Sequence, residues 1–298
     1  MTGALLVVGD VVTDIVARHG APLAAGTDTA AEIRTLPGGA GANVACWAAH
    51  GGLPVALLGR VGADSAAWHE EALTRAGVRP RLVVDPEAAT GTVISLVNTG
   101  AGAERTFLTD SGASLRLSPA DWSPDLLDGV AWLHLSGYLF FSGVSRELVG
   151  VALASARARG VPVSVDPASA GFLAELGPDR FLALAEGVDV LLPSRDEAEL
   201  LSGAGDAEVA AAKLSGRFPL VVVTSGVAGA VVARGGAVRA RVPAVPAVAR
   251  DSTGAGDAFT GAFLAARLRG AGPREAAGEG CRAGALAVAR VGGRPPPR

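Results

Sequence analysis

The sequence predicts an α/β fold built around a parallel β-sheet, and two observations support this prediction. First, short apolar runs that are typical of buried strands alternate with alanine- and leucine-rich stretches that are typical of helices. This βαβ rhythm implies strands that run parallel to one another. Second, at 298 residues the chain is long enough to bury one large core and to carry a small appendage.

The first part of the chain shows the rhythm most simply. Apolar runs at residues 4–9 and 54–59 predict two buried strands. One helix is predicted to begin in the glycine-rich stretch at residues 37–45 and to end near residue 50. Another is predicted at residues 65–76, and the glycine that follows it is a typical terminating residue. Strand, helix, strand and helix therefore follow one another in this part.

Residues 81–110 interrupt this rhythm. Segments 92–97 and 105–108 are rich in residues that favour strands, and a loop of small residues from Asn98 to Glu104 separates them. Two such segments around a glycine-containing loop indicate a β-hairpin.

The rhythm returns after residue 130, with a predicted helix at 145–159. Further strands are predicted at 130–137, 161–167, 188–193 and 220–226. In sheets of this kind, ligands bind outside the carboxyl ends of the strands. The polar residues predicted at those ends are Asp10, Ser136, Asp166, Ser194 and Thr224.

Composition argues against several partners. The net charge is −3 without a basic block, so nucleic acid is not expected as a partner. Apolar runs stay below about 18 residues, so no membrane span is expected. The N-terminal residues lack the features of a signal peptide, which makes a cytoplasmic location the expectation. Cys46 and Cys281 are expected to be buried free thiols.

Three kinds of site lack their sequence signals. Lys213 is the only lysine, so a Gly-Lys-Ser/Thr phosphate loop is absent, and nucleotide chemistry must use backbone amides, a metal or arginine. The Gly-x-Gly-x-x-Gly pattern of dehydrogenases does not follow the first strand. The four histidines do not have zinc-ligand spacing.

The segment from Asp251 to Asp257 is a glycine turn that leads directly into an apolar helix. Small residues at Gly254, Ala255 and Gly256 leave backbone N–H groups uncovered, and a helix N-terminus adds partial positive charge. Together these features make an anion pocket that suits a phosphate. Asp257 would either stabilise the helix end or orient and deprotonate a hydroxyl that attacks the phosphate.

A second glycine stretch, Pro37-Gly38-Gly39-Ala40-Gly41-Ala42-Asn43-Val44-Ala45, also opens a predicted helix. The pair resembles the two signatures of the ribokinase-like (PfkB-type) carbohydrate kinases, Gly-Gly-x-x-x-Asn-x-Ala near the N-terminus and Asp-Thr/Ser-x-Gly/Ala-Ala-Gly-Asp near the C-terminus. The resemblance covers almost the whole chain.

This resemblance implies a ribokinase-like fold: α/β, with a doubly wound, mostly parallel sheet flanked by helices and a small β lid. We expect a single domain over residues 1–298, with lid strands at roughly 12–18, 32–37 and 90–110. The lid would cover the substrate and exclude water, which competes as a phosphoryl acceptor. Its exposed edge is a plausible homodimer surface.

The resemblance also assigns residues to the acceptor and the nucleotide. Substrate binding falls to Asp14, Gly38, Gly39 and Asn43; a carboxylate such as Asp14 can accept hydrogen bonds from two neighbouring hydroxyls. The residues that match the nucleotide segments are Ser194, Thr224, Gly226 and Gly229, although the family usually has asparagine at the position of Ser194.

Metal sites are implied at two places. Glu197 matches a glutamate that helps hold hydrated Mg²⁺ near the phosphates, a mode of binding that suits this ion. The alternative is that Glu197 is one of several acidic residues favoured at a helix start. Asp251 and Thr253 match the ligands of K⁺ or another monovalent cation, but Pro296 lacks the hydroxyl that would complete this site.

The activity implied is transfer of the ATP γ-phosphoryl group to a hydroxyl of a sugar. Residues Gly254 to Asp257 would supply amides to the developing charge, and Asp257 would be the base. We expect the helix N-terminus to lower the pKa of Asp257.

The acceptor is less well defined, because Ala40 and Ala168-Ser169-Ala170 fit neither the ribokinase nor the fructokinase pattern. A sugar ranks first. A nucleoside kinase of the pseudouridine or adenosine type is the alternative, and a non-catalytic sugar- or nucleotide-binding protein ranks below both.

Overall fold

The computed structural model describes residues 3–98 and 104–296. The strands in these ranges are β1 (Ala4–Val8), β2 (Val12–His19), β3 (Ala31–Gly38), β4 (Val55–Gly62), β5 (Val78–Asp85), β6 (Thr90–Asn98), β7 (Glu104–Gly112), β8 (Val130–Ser136), β9 (Val163–Asp166), β10 (Val190–Leu191), β11 (Leu220–Thr224), β12 (Ala230–Arg234) and β13 (Ala237–Val242). The α-helices are α1 (Ala40–His50), α2 (Ala66–Arg75), α3 (Gly143–Arg159), α4 (Ala170–Leu176), α5 (Pro178–Leu184), α6 (Arg195–Ser202), α7 (Ala207–Leu214), α8 (Ala255–Leu268) and α9 (Pro273–Val288).

The main sheet has nine strands in the order β13-β12-β11-β10-β9-β8-β1-β4-β5. The strands from β11 to β5 are parallel to their neighbours, and β12 and β13 add an antiparallel edge. Residues of α3 to α7 belong to one large buried cluster, and residues of α1, α2, α8 and α9 belong to the other. The predicted α/β fold with a doubly wound, mostly parallel sheet is therefore confirmed.

β1 shows why a central strand of this sheet is apolar throughout. Leu6 and Val8 pack into one of the two large buried clusters, whereas Leu5 and Val7 pack into the other. Successive side chains of a strand point to opposite faces, and here both faces are covered by helices. An uninterrupted apolar run is the result.

Four strands form a separate sheet, the lid, in the order β3-β2-β6-β7. β2 pairs in parallel with β6, and the other two pairings are antiparallel. The segments expected at 12–18, 32–37 and 90–110 supply these strands, while loop residues 99–103 lie outside the described residues. Because β2 begins just after β1 ends, the lid extends from the carboxyl edge of the main sheet.

Some elements differ from the expectations. β5 (Val78–Asp85) was not predicted; it begins before residue 81, where the rhythm was expected to stop, and ends inside the segment 81–110. The β12–β13 hairpin was not predicted either. The predicted free thiols are confirmed; Cys46 is buried and Cys281 is half-buried. None of the described helices is both long enough and apolar enough to cross a membrane.

The sequence of residues 292–298 predicts a loose tail, but its described part, the C-terminal segment 292–296, is packed against the protein. The backbone amide of Gly292 donates to Asp251 Oδ2 at 2.9 Å, and Trp47 Nε1 donates to the carbonyl oxygen of Gly293 at 2.8 Å. The expectation was wrong because glycine and proline indicate irregular backbone, whereas irregular backbone can still be ordered by side chains distant in sequence.

Candidate active site

A cavity of about 720 Å³ lies between the carboxyl edge of the main sheet and the lid. Most of the residues that the sequence predicts for the site line it together: Asp14, Gly39, Asn43, Ser194, Glu197, Thr224, Thr253, Gly254, Ala255, Gly256 and Asp257. The predicted residues outside the lining are Gly38, Gly226, Gly229 and Asp251.

The N-terminus of α8 opens into this cavity. Gly254 precedes the helix with φ 71°, and a Cβ there would lie 2.5 Å from the Cα of Gly293, so both the conformation and the close packing require glycine. A Cβ on Gly256 would meet no atom within 4 Å. The first turn of α8 is therefore open to a ligand, and its backbone N–H groups suit an anion.

Asp257 stands in this first turn, and Asn43 from α1 reaches it. Asn43 Nδ2 donates a hydrogen bond to Asp257 Oδ2 at 2.8 Å, so the two glycine segments converge on one carboxylate. Asn43 Oδ1 is buried and has no partner among the described residues. The fold thus uses Asn43 to orient Asp257, a contact that the motifs alone do not predict.

The expected lowering of the Asp257 pKa is wrong. Burial raises the pKa of Asp257 well above its ordinary value of 3.8, and the nearby Asp166 carboxylate raises it further. The hydrogen bond from Asn43 acts in the opposite direction but does not offset burial. A helix N-terminus stabilises negative charge by a modest amount, whereas removal of a carboxylate from water costs more.

The N-terminus of α1 is closed by a residue whose role the sequence did not predict. Asp10 accepts backbone hydrogen bonds from Ala40 at 2.6 Å and Gly41 at 3.1 Å, and it also accepts one from Ser136 Oγ at 2.8 Å. Gly39 has φ 98°, and a Cβ there would lie 2.5 Å from the carbonyl oxygen of Asp10. Asp10 therefore anchors the start of α1 to the ends of β1 and β8.

Asp14 lies on lid strand β2 and is almost fully buried. A Cβ on Gly38 would lie 2.3 Å from the carboxylate oxygens of Asp14, so only glycine leaves room for this side chain. Burial raises the pKa of Asp14 to about 7. Gly38 therefore makes room for the Asp14 side chain without lining the cavity itself.

Glu197 is held at the start of α6 by a capping box. Its Oε2 accepts from the backbone amide of Ser194 at 2.8 Å, and Ser194 Oγ accepts from the amide of Glu197 at 3.4 Å. Burial raises the pKa of Glu197 to about 7, and Asp166 adds to this effect. Thr260 donates to Asp166 Oδ2 at 3.2 Å, which places a further carboxylate and hydroxyl in the cavity wall.

Mg²⁺ would find a limited set of protein ligands here. The described residues contain no group of three or more His, Cys, Asp or Glu side chains that could hold a metal ion by itself. Glu197 and Asp166 nevertheless face one cavity, and the Asp166 carboxylate raises the pKa of Glu197, so positive charge would be favoured between them. This arrangement fits Mg²⁺ bound mainly through water and phosphate oxygens.

The predicted nucleotide segments meet beside the carboxyl end of β11. Ser194 and Thr224 form an isolated parallel bridge, and the amide of Thr224 donates to the carbonyl oxygen of Pro193 at 2.9 Å. Gly229 has φ 88°, and a Cβ there would clash with the carbonyl oxygen of Val242 at 2.0 Å. Gly229 therefore serves backbone packing, while Gly226 borders open space.

The predicted cation ligand Asp251 is buried, and its carboxylate orders the turn before α8. Oδ1 accepts from the amide of Thr253 at 2.8 Å, and Oδ2 accepts from the amide of Gly292 at 2.9 Å. Both oxygens therefore already have backbone donors, and one of these donors belongs to the C-terminal segment.

Aromatic side chains form part of the cavity wall. Tyr138 and Phe172 have ring centroids 6.0 Å apart, and Phe107 of the lid also borders the cavity. No lysine, arginine or histidine lines it within residues 3–98 and 104–296. The wall therefore combines carboxylates with aromatic surface, which the scattered positions of these residues concealed in the sequence.

Comparisons with known proteins bear on the fold and on the activity. The family described as pfkB family carbohydrate kinase matches residues 3–298. A fructokinase from Klebsiella pneumoniae is 32% identical over 275 residues, covering 89% of this chain and 84% of that protein. A putative ribokinase II from E. coli, solved in complex with ATP and Mg²⁺, superposes with a TM-score of 0.85 at 27% identity, covering 98% and 94% of the two chains.

A further solved structure, adenosine kinase from Sinorhizobium meliloti, has a TM-score of 0.88 at 24% identity and covers 99% of this chain and 96% of its own. This last likeness concerns the fold. The family match over nearly the whole chain carries the assignment of activity. The chain belongs to the PfkB family of carbohydrate kinases and is a phosphotransferase that uses an alcohol group as acceptor.

Proposed function

We propose that this protein is an ATP-dependent sugar kinase, working as one ribokinase-like domain over residues 1–298. It transfers the γ-phosphoryl group of ATP to a hydroxyl of the sugar. One observation carries the proposal: Asp257 stands at the open N-terminus of α8, in the same cavity as Asp14. A hydroxyl held near Asp14 and a phosphate held at α8 would meet beside Asp257.

In the proposed reaction, Asp257 accepts the proton of the attacking hydroxyl. The backbone amides of Gly254 to Asp257 stabilise the charge that develops on the transferred group. Its raised pKa makes Asp257 a stronger base than an ordinary aspartate, provided that it is ionised when the acceptor binds. Asn43 keeps the carboxylate of Asp257 oriented through the 2.8 Å hydrogen bond.

The acceptor lies against Asp14, Gly38, Gly39 and Asn43 in this proposal, and the lid covers it. Asp14 accepts hydrogen bonds from two hydroxyl groups of the sugar. Because carboxylates and aromatic rings line the cavity among the described residues, the acceptor is uncharged rather than a sugar phosphate. The aromatic rings would pack against an apolar face of the acceptor.

ATP lies along the ends of β10 and β11 in this proposal, next to Ser194 and Thr224, with the loop at Gly226 and Gly229 beside it. Glu197 would hold Mg²⁺ through a water molecule. When bound, Mg²⁺ neutralises phosphate charge in the transition state. Use of ATP favours a cytoplasmic location for the enzyme.

Monovalent cation binding is proposed at Asp251 and Thr253 as a secondary feature. The carboxylate of Asp251 already accepts two backbone hydrogen bonds, so K⁺ would add to an ordered turn rather than organise it. Comparison of turnover in K⁺ and in tetramethylammonium, at equal ionic strength, measures this contribution directly.

A homodimer through the lid is also proposed. Ile33 on β3 is 64% exposed and Leu108 on β7 is 54% exposed, so apolar side chains are presented near both edge strands of the lid. Equilibrium sedimentation of the protein and of the Ile33→Lys/Leu108→Lys variant separates a lid dimer from a monomer.

The activity is tested by release of ADP from Mg·ATP with a panel of sugars, sugar acids, sugar phosphates and nucleosides. We expect turnover with one uncharged sugar, and loss of that turnover in Asp257→Ala. Glu275→Ala is the matched control, because Glu275 is an exposed carboxylate in the first turn of α9. Absence of ATP binding would refute the proposed anion site.

Nucleoside kinase activity is the second candidate, and the aromatic wall of Tyr138 and Phe172 favours it. A base could stack there while the ribose contacts Asp14. Turnover with a nucleoside, together with no turnover for any free sugar in the panel, would favour this candidate. Binding of ATP and a sugar without any turnover would instead indicate a non-catalytic binding protein.

A further inference from the structure

Arg294, in the C-terminal segment, is a charged residue that the proposed reaction does not use. We propose that Arg294 is a positioning residue that supplies the positive charge facing Asp14 and so keeps Asp14 able to bind the acceptor hydroxyls. This inference rests on the proposed function, because that function gives Asp14 its role. Arg294 does not line the cavity, so it acts through Asp14 rather than on the acceptor.

The backbone before Arg294 is fixed on two sides. Asp251 accepts a hydrogen bond from the amide of Gly292, and Trp47 donates one to the carbonyl oxygen of Gly293. A Cβ on Gly293 would lie 2.4 Å from Asn43 Nδ2, so the segment passes directly behind the acceptor site. The backbone that leads to Arg294 is therefore held against the protein.

The guanidinium group is enclosed and mostly unpartnered. Nη2 donates to the carbonyl oxygen of Gly38 at 3.4 Å. Nε and Nη1 are shielded from solvent and have no hydrogen-bond partner among the described residues. A buried polar group without a partner is costly, so such groups need a reason to be retained. Here the reason is the positive charge that the guanidinium group places near Asp14.

Gly38 is the link between Arg294 and Asp14. Its carbonyl oxygen accepts from Arg294, while its Cα lies so close to Asp14 that a Cβ would reach within 2.3 Å of the carboxylate oxygens. The backbone of Gly38 is therefore next to both groups. In a poorly hydrated interior, charges interact strongly even without direct contact.

The charges around Asp14 leave Arg294 as its counter-charge. Burial raises the pKa of Asp14 to about 7, Arg294 opposes this shift, and Asp10 and Asp251 reinforce it. His69, which contacts Thr13 beside Asp14, has its pKa lowered to about 4 by burial and is neutral at pH 7. Arginine retains its charge even when burial lowers its pKa, as it does here.

Protonation of Asp14 would weaken acceptor binding. An ionised carboxylate accepts hydrogen bonds at both oxygens, whereas the protonated form has one hydroxyl that donates. Two hydroxyl groups of a sugar can therefore be bound in the same way only by the ionised form. Loss of the Arg294 charge should move Asp14 toward its protonated form at neutral pH.

The direct test measures the titration of Asp14 without any substrate. Carboxyl carbons of ¹³C-labelled aspartate are followed by NMR against pH, and the Asp14 signal is assigned with Asp14→Asn. We expect Arg294→Met and Arg294→Gln each to raise the pKa of Asp14 by about one unit, and Arg294→Lys to raise it less. Arg290→Met, which removes an exposed arginine four positions away, should leave it unchanged.

The kinetic test uses the same variants over pH 6–9. We expect kcat/KM for the acceptor to fall about fivefold at pH 7 in Arg294→Met and to recover toward pH 9, with KM for ATP unchanged. A loss that is equal at all pH values, or an Asp14 titration that matches the unsubstituted protein, would overturn the role of Arg294. Failure of the unsubstituted protein to turn over would refute the proposed function while leaving the NMR result decisive for Arg294.

Discussion

Two helices begin at glycine turns beside the same cavity, and their first turns have different surroundings. α1 starts after Gly39, and Asp10 accepts hydrogen bonds from two of its first amides. α8 starts after Gly254, and its first turn faces open space at Gly256. Both helix ends carry the partial positive charge of an N-terminus. Only the end of α8 remains open to a phosphate.

This difference shows that a glycine-rich helix start does not by itself define an anion site. The deciding residue at α1 lies thirty positions earlier in the chain, at the end of β1. A carboxylate of the protein already neutralises that helix end. Asp257, in contrast, is recessed beside a free helix end and is oriented by α1 through Asn43. One glycine segment therefore starts a helix whose end is already capped, and the other starts the helix to which we assign the reaction in our proposal.

The largest expected effect comes from Asp257→Ala. If Asp257 is the base, we expect kcat to fall by about 10²–10⁴-fold, which is the usual contribution of a general base. KM for ATP should change little, because the backbone amides of α8 remain. Steady-state kinetics with the acceptor from the panel measures both values. A variant that keeps at least half of the original kcat would remove Asp257 from this role.

A matched pair of glycine substitutions compares the two helix starts. Gly39→Ala should destabilise the fold by about 1–3 kcal/mol, because φ is positive and the Cβ would meet the carbonyl oxygen of Asp10. Gly256→Ala should leave stability equal or higher by about 0.5–1 kcal/mol, yet weaken ATP binding by placing a methyl group at the open turn. Urea denaturation and ATP titration measure these effects.

If the comparison of the helix ends is wrong, the outcomes of this pair change places. Gly256→Ala would then lower stability, and Gly39→Ala would mainly lower the affinity for ATP. Circular dichroism of both variants before titration shows whether each is folded, which keeps the two effects separable.

Asp10→Asn tests the closed end of α1. We expect a loss of about 1–2 kcal/mol of stability, as for removal of a helix cap, because asparagine offers one acceptor oxygen instead of two. The kcat should fall less than tenfold, since Asp10 is a scaffold residue here. Urea denaturation measures the stability. Asp189→Asn is the comparison variant, because the carboxylate of Asp189 also accepts a hydrogen bond from a backbone amide of another strand, that of Val163. A kcat loss as large as that of Asp257→Ala would contradict the scaffold role.

The pH dependence of stability should distinguish Asp257 from an ordinary surface aspartate. Its pKa is raised on folding, so the folded state binds the proton more tightly and loses stability as pH rises above the ordinary value of 3.8. Asp257→Asn removes this loss. We expect its Tm to exceed that of the unsubstituted protein at pH 8 by a few degrees and to converge with it near pH 4. Equal Tm differences at both pH values would show that burial does not raise this pKa.

The sequence predicted the parallel sheet and its central strands, and most of the site residues that it predicted line the cavity. These predictions succeeded where the signal is local: an apolar run, a glycine turn, or a polar residue at a strand end. β5 was missed because it is an edge strand in which arginines interrupt the apolar pattern. β12 and β13 were missed because no α-helix precedes either of them, so they do not continue the βαβ rhythm. Edge and antiparallel strands give a weaker pattern than buried parallel ones.

The contacts within the site could not be predicted in the same way. Asp10 closing α1, Asn43 donating to Asp257, and Arg294 behind Gly38 each join segments that are distant in sequence. The aromatic wall is likewise assembled from separate parts of the chain. A single sequence identifies groups that suit a given chemistry, whereas their burial and partners depend on how the segments pack.

The parallel pairing of β2 with β6 has a consequence for how this protein folds. Between these two strands the chain completes β3, α1, β4, α2 and β5; β4 and β5 belong to the main sheet, and α1 and α2 share a buried cluster with it. Contacts between strands so far apart in sequence form slowly, because a long loop must close first. We therefore expect the lid to assemble after the neighbouring part of the main sheet. The cavity between the lid and the main sheet would then be among the last features to acquire native structure during refolding.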